Sequence, residues 1–169
     1  IKMMNVENFI KQSIQEDCPT GDITTTSLDI KSGQIEAKLI AKDEGVFFGH
    51  DIIKQGVKQF PAMSASNTLL DGHQIKNKDI ISSINGNYND ILILERTLLN
   101  FIQHLSGIAS KTQQAVKSLN NPKISVCDTR KTIPGFRKLA KSAVKAGGGK
   151  NHREGLSDMI LIKENHLTI

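Results

Sequence analysis

Residues 124–166 read ISVCDTRKTIPGFRKLAKSAVKAGGGKNHREGLSDMILIKENH. Two short apolar runs, 124–127 and 159–162, end abruptly in polar and charged residues: Asp128-Thr129-Arg130-Lys131 after the first, Lys163-Glu164-Asn165-His166 after the second. Between them Phe136, Leu139, Ala140, Ala143 and Val144 recur at helical spacing over 136–146, and Gly147-Gly148-Gly149 stops the pattern. Strand, helix and strand with uninterrupted apolar strands predict a βαβ unit, its two strands parallel and buried on both faces. The segment holds nine Lys/Arg (130, 131, 137, 138, 141, 145, 150, 153, 163) against four Asp/Glu (128, 154, 158, 164), and this surplus of five equals the chain's net charge of +5. Ligands of parallel α/β folds lie beyond the carboxyl ends of the strands, so a basic excess placed there predicts a site for an anion.

Upstream, Asp90 caps the longest helical pattern, 91–105, with Leu94, Leu98, Ile102 and Leu105 as its stripe and Ile91 and Leu99 widening it. Ser106-Gly107 predicts a break, and a second helix over 108–119 stops at Asn120-Asn121-Pro122. Nearer the N-terminus, 5–17 reads as a helix capped by Asn5, with Val6, Phe9, Ile10 and Ile14 on one face and an end at Cys18-Pro19. Residues 34–42 alternate as a half-buried strand, 44–49 form a turn around a short apolar patch, and 50–60 form a helix with Ile52, Ile53, Gly56, Val57 and Phe60 inward. Weaker strand patterns over 62–86 surround a turn at Asp71-Gly72. This half predicts a few antiparallel strands with helices on one face.

A chain of 169 residues with 38% hydrophobic and 23% charged residues can build a real core, which excludes disorder as its default state. With no Trp and one Tyr, that core is mostly aliphatic. No apolar run approaches a membrane span and the N-terminus has no signal-peptide layout. Cys18 and Cys127 follow no metal or redox spacing; Cys127 reads as a buried small hydrophobe, and the pair fits a reducing, cytoplasmic setting. The pI near 9.2 permits nucleic-acid binding, but the excess charge sits in one structured segment with a single Phe, which suits a small polyanion at least as well.

Arg130, Lys131 and Lys163 are the first candidates, because charge at the end of a buried strand is costly without a partner, and Arg and Lys grip carboxylates or phosphates as fork and point charge. Lys138, Lys141 and Lys145 read as solvated charges on the polar face of a helix, so Lys141→Ala is expected to do little. Lys150-Asn151-His152-Arg153 after three glycines is either a polar loop or a phosphate cradle. His152 is either a donor to a carboxylate or an ordinary loop histidine. Gly21-Asp22 with Thr24-Thr25-Thr26 reads as a turn whose hydroxyls satisfy the backbone, with no chemistry assigned.

Four strings in order, Glu95-Arg96-Thr97-Leu98-Leu99-Asn100, Asp128-Thr129-Arg130-Lys131-Thr132, Gly148-Gly149-Lys150-Asn151-His152-Arg153 and Ile160-Leu161-Ile162-Lys163-Glu164-Asn165-His166, resemble the quinolinate phosphoribosyltransferases of NAD biosynthesis. Glu16-Asp17 and Gly21-Asp22-Ile23-Thr24-Thr25 resemble that family too. The resemblance implies an α/β fold: an α+β N-terminal sandwich over 1–107, then the first part of an incomplete β/α barrel over 108–169. It also implies a homodimer or higher homo-oligomer with shared sites. In it Arg130, Lys131, His152, Arg153 and Lys163 surround quinolinate and phosphoribosyl pyrophosphate, with Lys131 and Lys163 as the catalytic lysines. Arg96, which the residues alone leave as a helix-surface charge, reaches into the partner's site.

The implied reaction is displacement of pyrophosphate by the pyridine nitrogen, then loss of CO₂. Mg²⁺ aids the leaving group, with ligands mostly outside this chain and none assigned within it. The family's barrel continues where this chain stops after two barrel strands, so a piece of a longer protein is expected, one that aggregates or binds ligand poorly alone. Neither a nucleic-acid nor a membrane partner is expected. Three alternatives stand beside this reading. They are a paralogue of the same fold acting on another anion (the molybdenum-transport-associated type), a non-enzymatic basic binding module, and a Schiff-base lyase using Lys163.

Overall fold

The computed structural model describes residues 6–28 and 33–168. Asn5, expected to cap the first helix, lies outside them. Helix α1 (Val6–Asp17) buries Ile10 completely, and α2 (Ile23–Ser27) is a single capped turn. Its cap is Asp22, whose carboxylate accepts from the Thr24 N–H at 2.9 Å and from the Thr25 hydroxyl. The expected turn with hydroxyls on the backbone is therefore a helix start.

Strands β1 (Gln34–Ile40) and β2 (Gly45–Val46), helix α3 (His50–Val57), and strands β3 (Ser64–Ser66), β4 (Gln74–Ile75) and β5 (Ile80–Asn87) follow. They make an antiparallel sheet of order β1-β5-β3 and an antiparallel pair β2-β4. The central strand β5 is buried on both faces through Ile81, Ser82, Ser83 and Ile84. The Ser82 hydroxyl meets that of Thr68 at 2.8 Å, so its polar atom is satisfied within the sheet region. The Asp71-Gly72 turn does more than reverse the chain: Asp71 Oδ1 accepts from the Gly49 and His50 N–H groups at 2.7 and 2.9 Å, closing the start of α3.

One uninterrupted helix, α4 (Tyr88–Leu119, 32 residues), replaces the two helices expected on either side of Ser106-Gly107. Its stripe continues through Leu94, Leu98, Phe101, Ile102, Leu105, Ala109 and Thr112, all buried. Ser106 does not stop the helix, because its hydroxyl accepts from the Phe48 N–H at 3.0 Å, as Ser110 does from Val46 at 2.9 Å. These serines satisfy the backbone at and beyond β2. Gly107 is exposed and no atom lies where a side chain would begin, so nothing there requires a bend.

Helix α5 (Arg137–Ala146) docks on α4, and α6 (Glu164–Leu167) is one turn. The expected parallel strands do not form among the described residues. A single parallel bridge, Cys127 to Lys150, stands in their place, and 159–162 has no ladder partner. Ile160 is 89% exposed, Ile124 is exposed, and Cys127 is exposed rather than buried. An apolar run takes a buried strand's place only when a neighbouring layer covers it, and no described segment covers this one.

Candidate active site

The three glycines set up the site by geometry. A Cβ on Gly147 would lie 2.2 Å from the Ala109 carbonyl oxygen, so only glycine lets the end of α5 press against α4. Gly148 then turns the chain with φ +87°. The N–H groups of Gly147, Gly148 and Gly149 donate to Ala143, Lys145 and Val144 carbonyls at 3.0, 2.9 and 3.0 Å. They close the helix end and are not free to cradle a phosphate. The returning chain lies beside 126–128: Lys150 N–H donates to the Val126 carbonyl at 2.8 Å, and Asp128 N–H to the Lys150 carbonyl at 3.1 Å.

This pairing brings the loop carrying Arg130 and Lys131 against the loop carrying His152 and Arg153. Asp128 joins them. Its Oδ1 accepts from Lys141 Nζ at 2.5 Å and from the His152 N–H at 2.9 Å. The Asn151 amide, turned so that its nitrogen faces acceptors, donates to Asp128 Oδ2 at 2.8 Å and to the Lys141 carbonyl at 2.9 Å. Lys141 Nζ also donates to the His152 carbonyl at 2.9 Å. The side chains of the ion pair are 2% and 6% exposed. Lys141 is therefore a buried structural cation, which corrects its reading as a solvated charge.

The reason is visible on α5. Arg137 and Lys141 are four residues apart and share a face turned towards the loops, while Lys138 and Lys145 face solvent. Arg137 donates to the Glu154 carbonyl at 2.9 Å and to Thr132 Oγ1 at 3.2 Å, tying the same two loops a second time. An apolar-periodicity reading misses both residues, because this inward face is polar. A basic pair at i, i+4 beside a loop aspartate is the signal that could have found them.

Among the sequence-derived candidates, Arg130 is half-buried, and its Nε is buried without a hydrogen-bond partner among the described residues. Lys131 is exposed; its N–H donates to Thr129 Oγ1 at 3.1 Å, which fixes the backbone. The His152 Nδ1 accepts from the Arg153 N–H at 2.8 Å, so the neutral ring carries its proton on Nε2 as a donor. Arg153 reaches the Met159 carbonyl with Nη1 at 3.2 Å. Lys163 is exposed at the start of α6, where its N–H donates to His166 Nδ1 at 3.1 Å. Arg96 is exposed on α4. No hydrogen bond or ion pair among the described residues ties the Arg96 or Lys163 side chain to the 128–153 cluster.

Residues 22–106 match the family model described as quinolinate phosphoribosyl transferase, N-terminal domain, and residues 108–169 match that of its C-terminal domain. This chain belongs to the quinolinate phosphoribosyl transferase family. It is 42% identical over 165 residues to a probable nicotinate-nucleotide pyrophosphorylase [carboxylating] of Bacillus subtilis, covering 97% of this chain and 57% of that protein. A protein of the same name from Archaeoglobus fulgidus is 37% identical, over 89% of this chain and 57% of its own length. The solved nicotinate-nucleotide pyrophosphorylase from Francisella tularensis superposes with a TM-score of 0.91 at 40% identity, covering 96% of this chain and 58% of that one. The chain thus spans a little over half the length of these three relatives. The two family-model matches meet near Gly107, inside the continuous α4, so both matches share one helix.

Proposed function

We propose that the protein transfers the phosphoribosyl group of phosphoribosyl pyrophosphate to quinolinate, with decarboxylation, giving nicotinate mononucleotide, pyrophosphate and CO₂. The observation that carries this reading is the union of the 128–131 and 150–153 loops, which lays the chain bearing Arg130 and Lys131 beside the chain bearing His152 and Arg153. The partnerless Arg130 Nε supports it, since a carboxylate oxygen would complete that group. Family membership supplies the substrates.

In this reading the cations and the His152 Nε2–H grip the two carboxylates, offset their desolvation and aim the pyridine nitrogen. The new C–N bond forms at the ribose anomeric carbon as the bond to pyrophosphate breaks. The C2–carboxylate bond then breaks to release CO₂, its electron pair stays on the ring carbon, and that carbon takes up a proton. Among the described residues no three His, Cys, Asp or Glu side chains converge on a metal. Asp128 and Asp158 already accept from N–H donors, so these two do not fit Mg²⁺ as ligands; bound through other groups, Mg²⁺ would aid departure of the pyrophosphate.

The same proposal includes a homodimer in which Arg96 completes the partner's site; its exposure on α4 supports this. It also includes a cytoplasmic setting, supported by free thiols at Cys18 and Cys127. No helix among the described residues is long and apolar enough to cross a membrane.

The test is turnover of quinolinate with phosphoribosyl pyrophosphate, read as CO₂ and nicotinate mononucleotide. Arg130→Ala and His152→Ala should abolish measurable quinolinate binding by calorimetry, and Lys145→Ala should leave it unchanged. Arg96→Ala and Arg130→Ala proteins, each inactive, should regain activity when mixed if sites are shared. Binding unaffected by Arg130→Ala would sink the site assignment.

A further inference from the structure

Two groups in the cluster do no anion-binding of their own. Lys141 is 1% exposed and two of its N–H donors are engaged by Asp128 and the His152 carbonyl. Asp128 accepts from Lys141, from the His152 N–H and from the Asn151 amide. Neither can reach a ligand, yet both act on the backbone of a residue that does. The peptide on the N-terminal side of His152 is held through its N–H by Asp128, and the peptide on the C-terminal side is held through its carbonyl by Lys141. The imidazole is then held by the next N–H, Arg153 to Nδ1. Both peptide planes and the ring of His152 are fixed by one ion pair. The same aspartate begins the turn that carries Arg130 two residues later.

We infer that Asp128 and Lys141 are positioning residues that set the direction of the His152 Nε2–H donor and its spacing from Arg130. The inference rests on the activity proposed above. An apolar pair of similar volume would still pack α5 against the loop, since buried ion pairs can often be replaced by apolar side chains. It would not offer an acceptor to the His152 N–H and a donor to the His152 carbonyl together. Stability and placement are therefore separable, and that separation is the test.

Lys141→Met alone leaves the Asp128 carboxylate buried without its cation and can fail to fold. The double variant Asp128→Leu with Lys141→Met removes both charges, the acceptor for the His152 N–H and the donor to its carbonyl, and avoids that. In the double variant Tm should recover part of what Lys141→Met alone loses, while kcat/KM for quinolinate stays down by about a hundredfold, chiefly through KM, as expected for a binding group displaced by about an ångström. Recovery of KM together with Tm would mean the pair is only structural and would overturn the inference.

A second readout needs no substrate. In ¹⁵N-histidine spectra, with His152→Ala identifying the signal, the neutral form of wild-type His152 should be the Nε2–H tautomer, and that of the double variant should be a mixture of tautomers. An unchanged His152 signal in the double variant overturns the inference whatever the substrate is. If wild-type protein fails to turn over quinolinate, the function reading fails, and the spectra alone decide the positioning role.

Discussion

The region around α4 and the region around α5 are both helices packed on what precedes them, but they are held by opposite means. Around α4, Leu94, Leu98, Ile102 and Leu105 meet Phe47, Ile52 and Ile53 through apolar contact without direction, summed over many atoms. Around α5, the loops are held by a handful of directed bonds, each to a named acceptor. The first arrangement tolerates a change of shape by partial relaxation. The second does not relax in the same way: removing one partner strands another in a place water does not reach. A helix that looks solvent-facing from its charge count can therefore be the less forgiving of the two.

The largest expected effect breaks the polar side of this contrast. Lys141→Ala should cost about 3–5 kcal/mol in denaturant unfolding, the range for removing one member of a buried ion pair. Adding Asp128→Asn should restore most of it. An effect as small as that of Lys145→Ala, within about 0.5 kcal/mol, would mean the pair is hydrated in solution. The apolar side is broken by Leu105→Ala, which removes a fully buried side chain from the middle of α4 and should cost about 3 kcal/mol. Here no second substitution at a partner should rescue the loss, because the contacts are shared among many neighbours. A smaller effect tests the junction between turn and helix. Asp71→Ala frees the Gly49 and His50 N–H groups and should cost about 1 kcal/mol, the usual value of a helix cap, although the aspartate lies some twenty residues away in sequence.

The same contrast explains what the sequence disclosed. Periodicity located α1, α3 and α4, because each turns an apolar stripe to the core, and it marked α5, β1 and β5 although the inward face of α5 is partly polar and no residue of β1 is fully buried. It split α4 at Ser106-Gly107, since serine and glycine look like punctuation until Ser106 is seen to satisfy the backbone at Phe48. It made strands of 124–127 and 159–162, because an apolar run records a wish for burial and not the presence of a neighbour to bury it. At the site, charge at a predicted strand end named Arg130, and family resemblance gave His152 and Arg153 their roles. The residues that hold them, Asp128 and Lys141, sit thirteen positions apart. Their pairing depends on the return of the chain through Gly147 and Gly148, which no local pattern encodes. Arg96 and Lys163 remain on the proposal alone.

The smallest effect sharpens the comparison by asking which region acid loosens first. Asp158 accepts from the Glu154 N–H at 2.6 Å and the Gly155 N–H at 2.9 Å, and these bonds, that from Glu154 foremost, hold its carboxyl below the ordinary 3.8. Asp22 is lowered in the same way at the start of α2, first by the Thr25 hydroxyl. A folded carboxyl with a depressed pKa contributes stability above its unfolded value, and that contribution is lost as pH falls through the folded value. Asp158 is exposed and Asp22 half-buried at the chain surface, so the contribution is local to their loops. As pH drops below about 4, the Glu154 and Gly155 amide resonances should move together, with a midpoint below 3.8, while resonances of Leu98 and Leu105 in α4 stay fixed. Asp158→Asn should abolish that titration. A midpoint at or above 3.8, or core resonances that move in step with the loop, would show that the polar loops and the apolar core do not respond to acid as separate units.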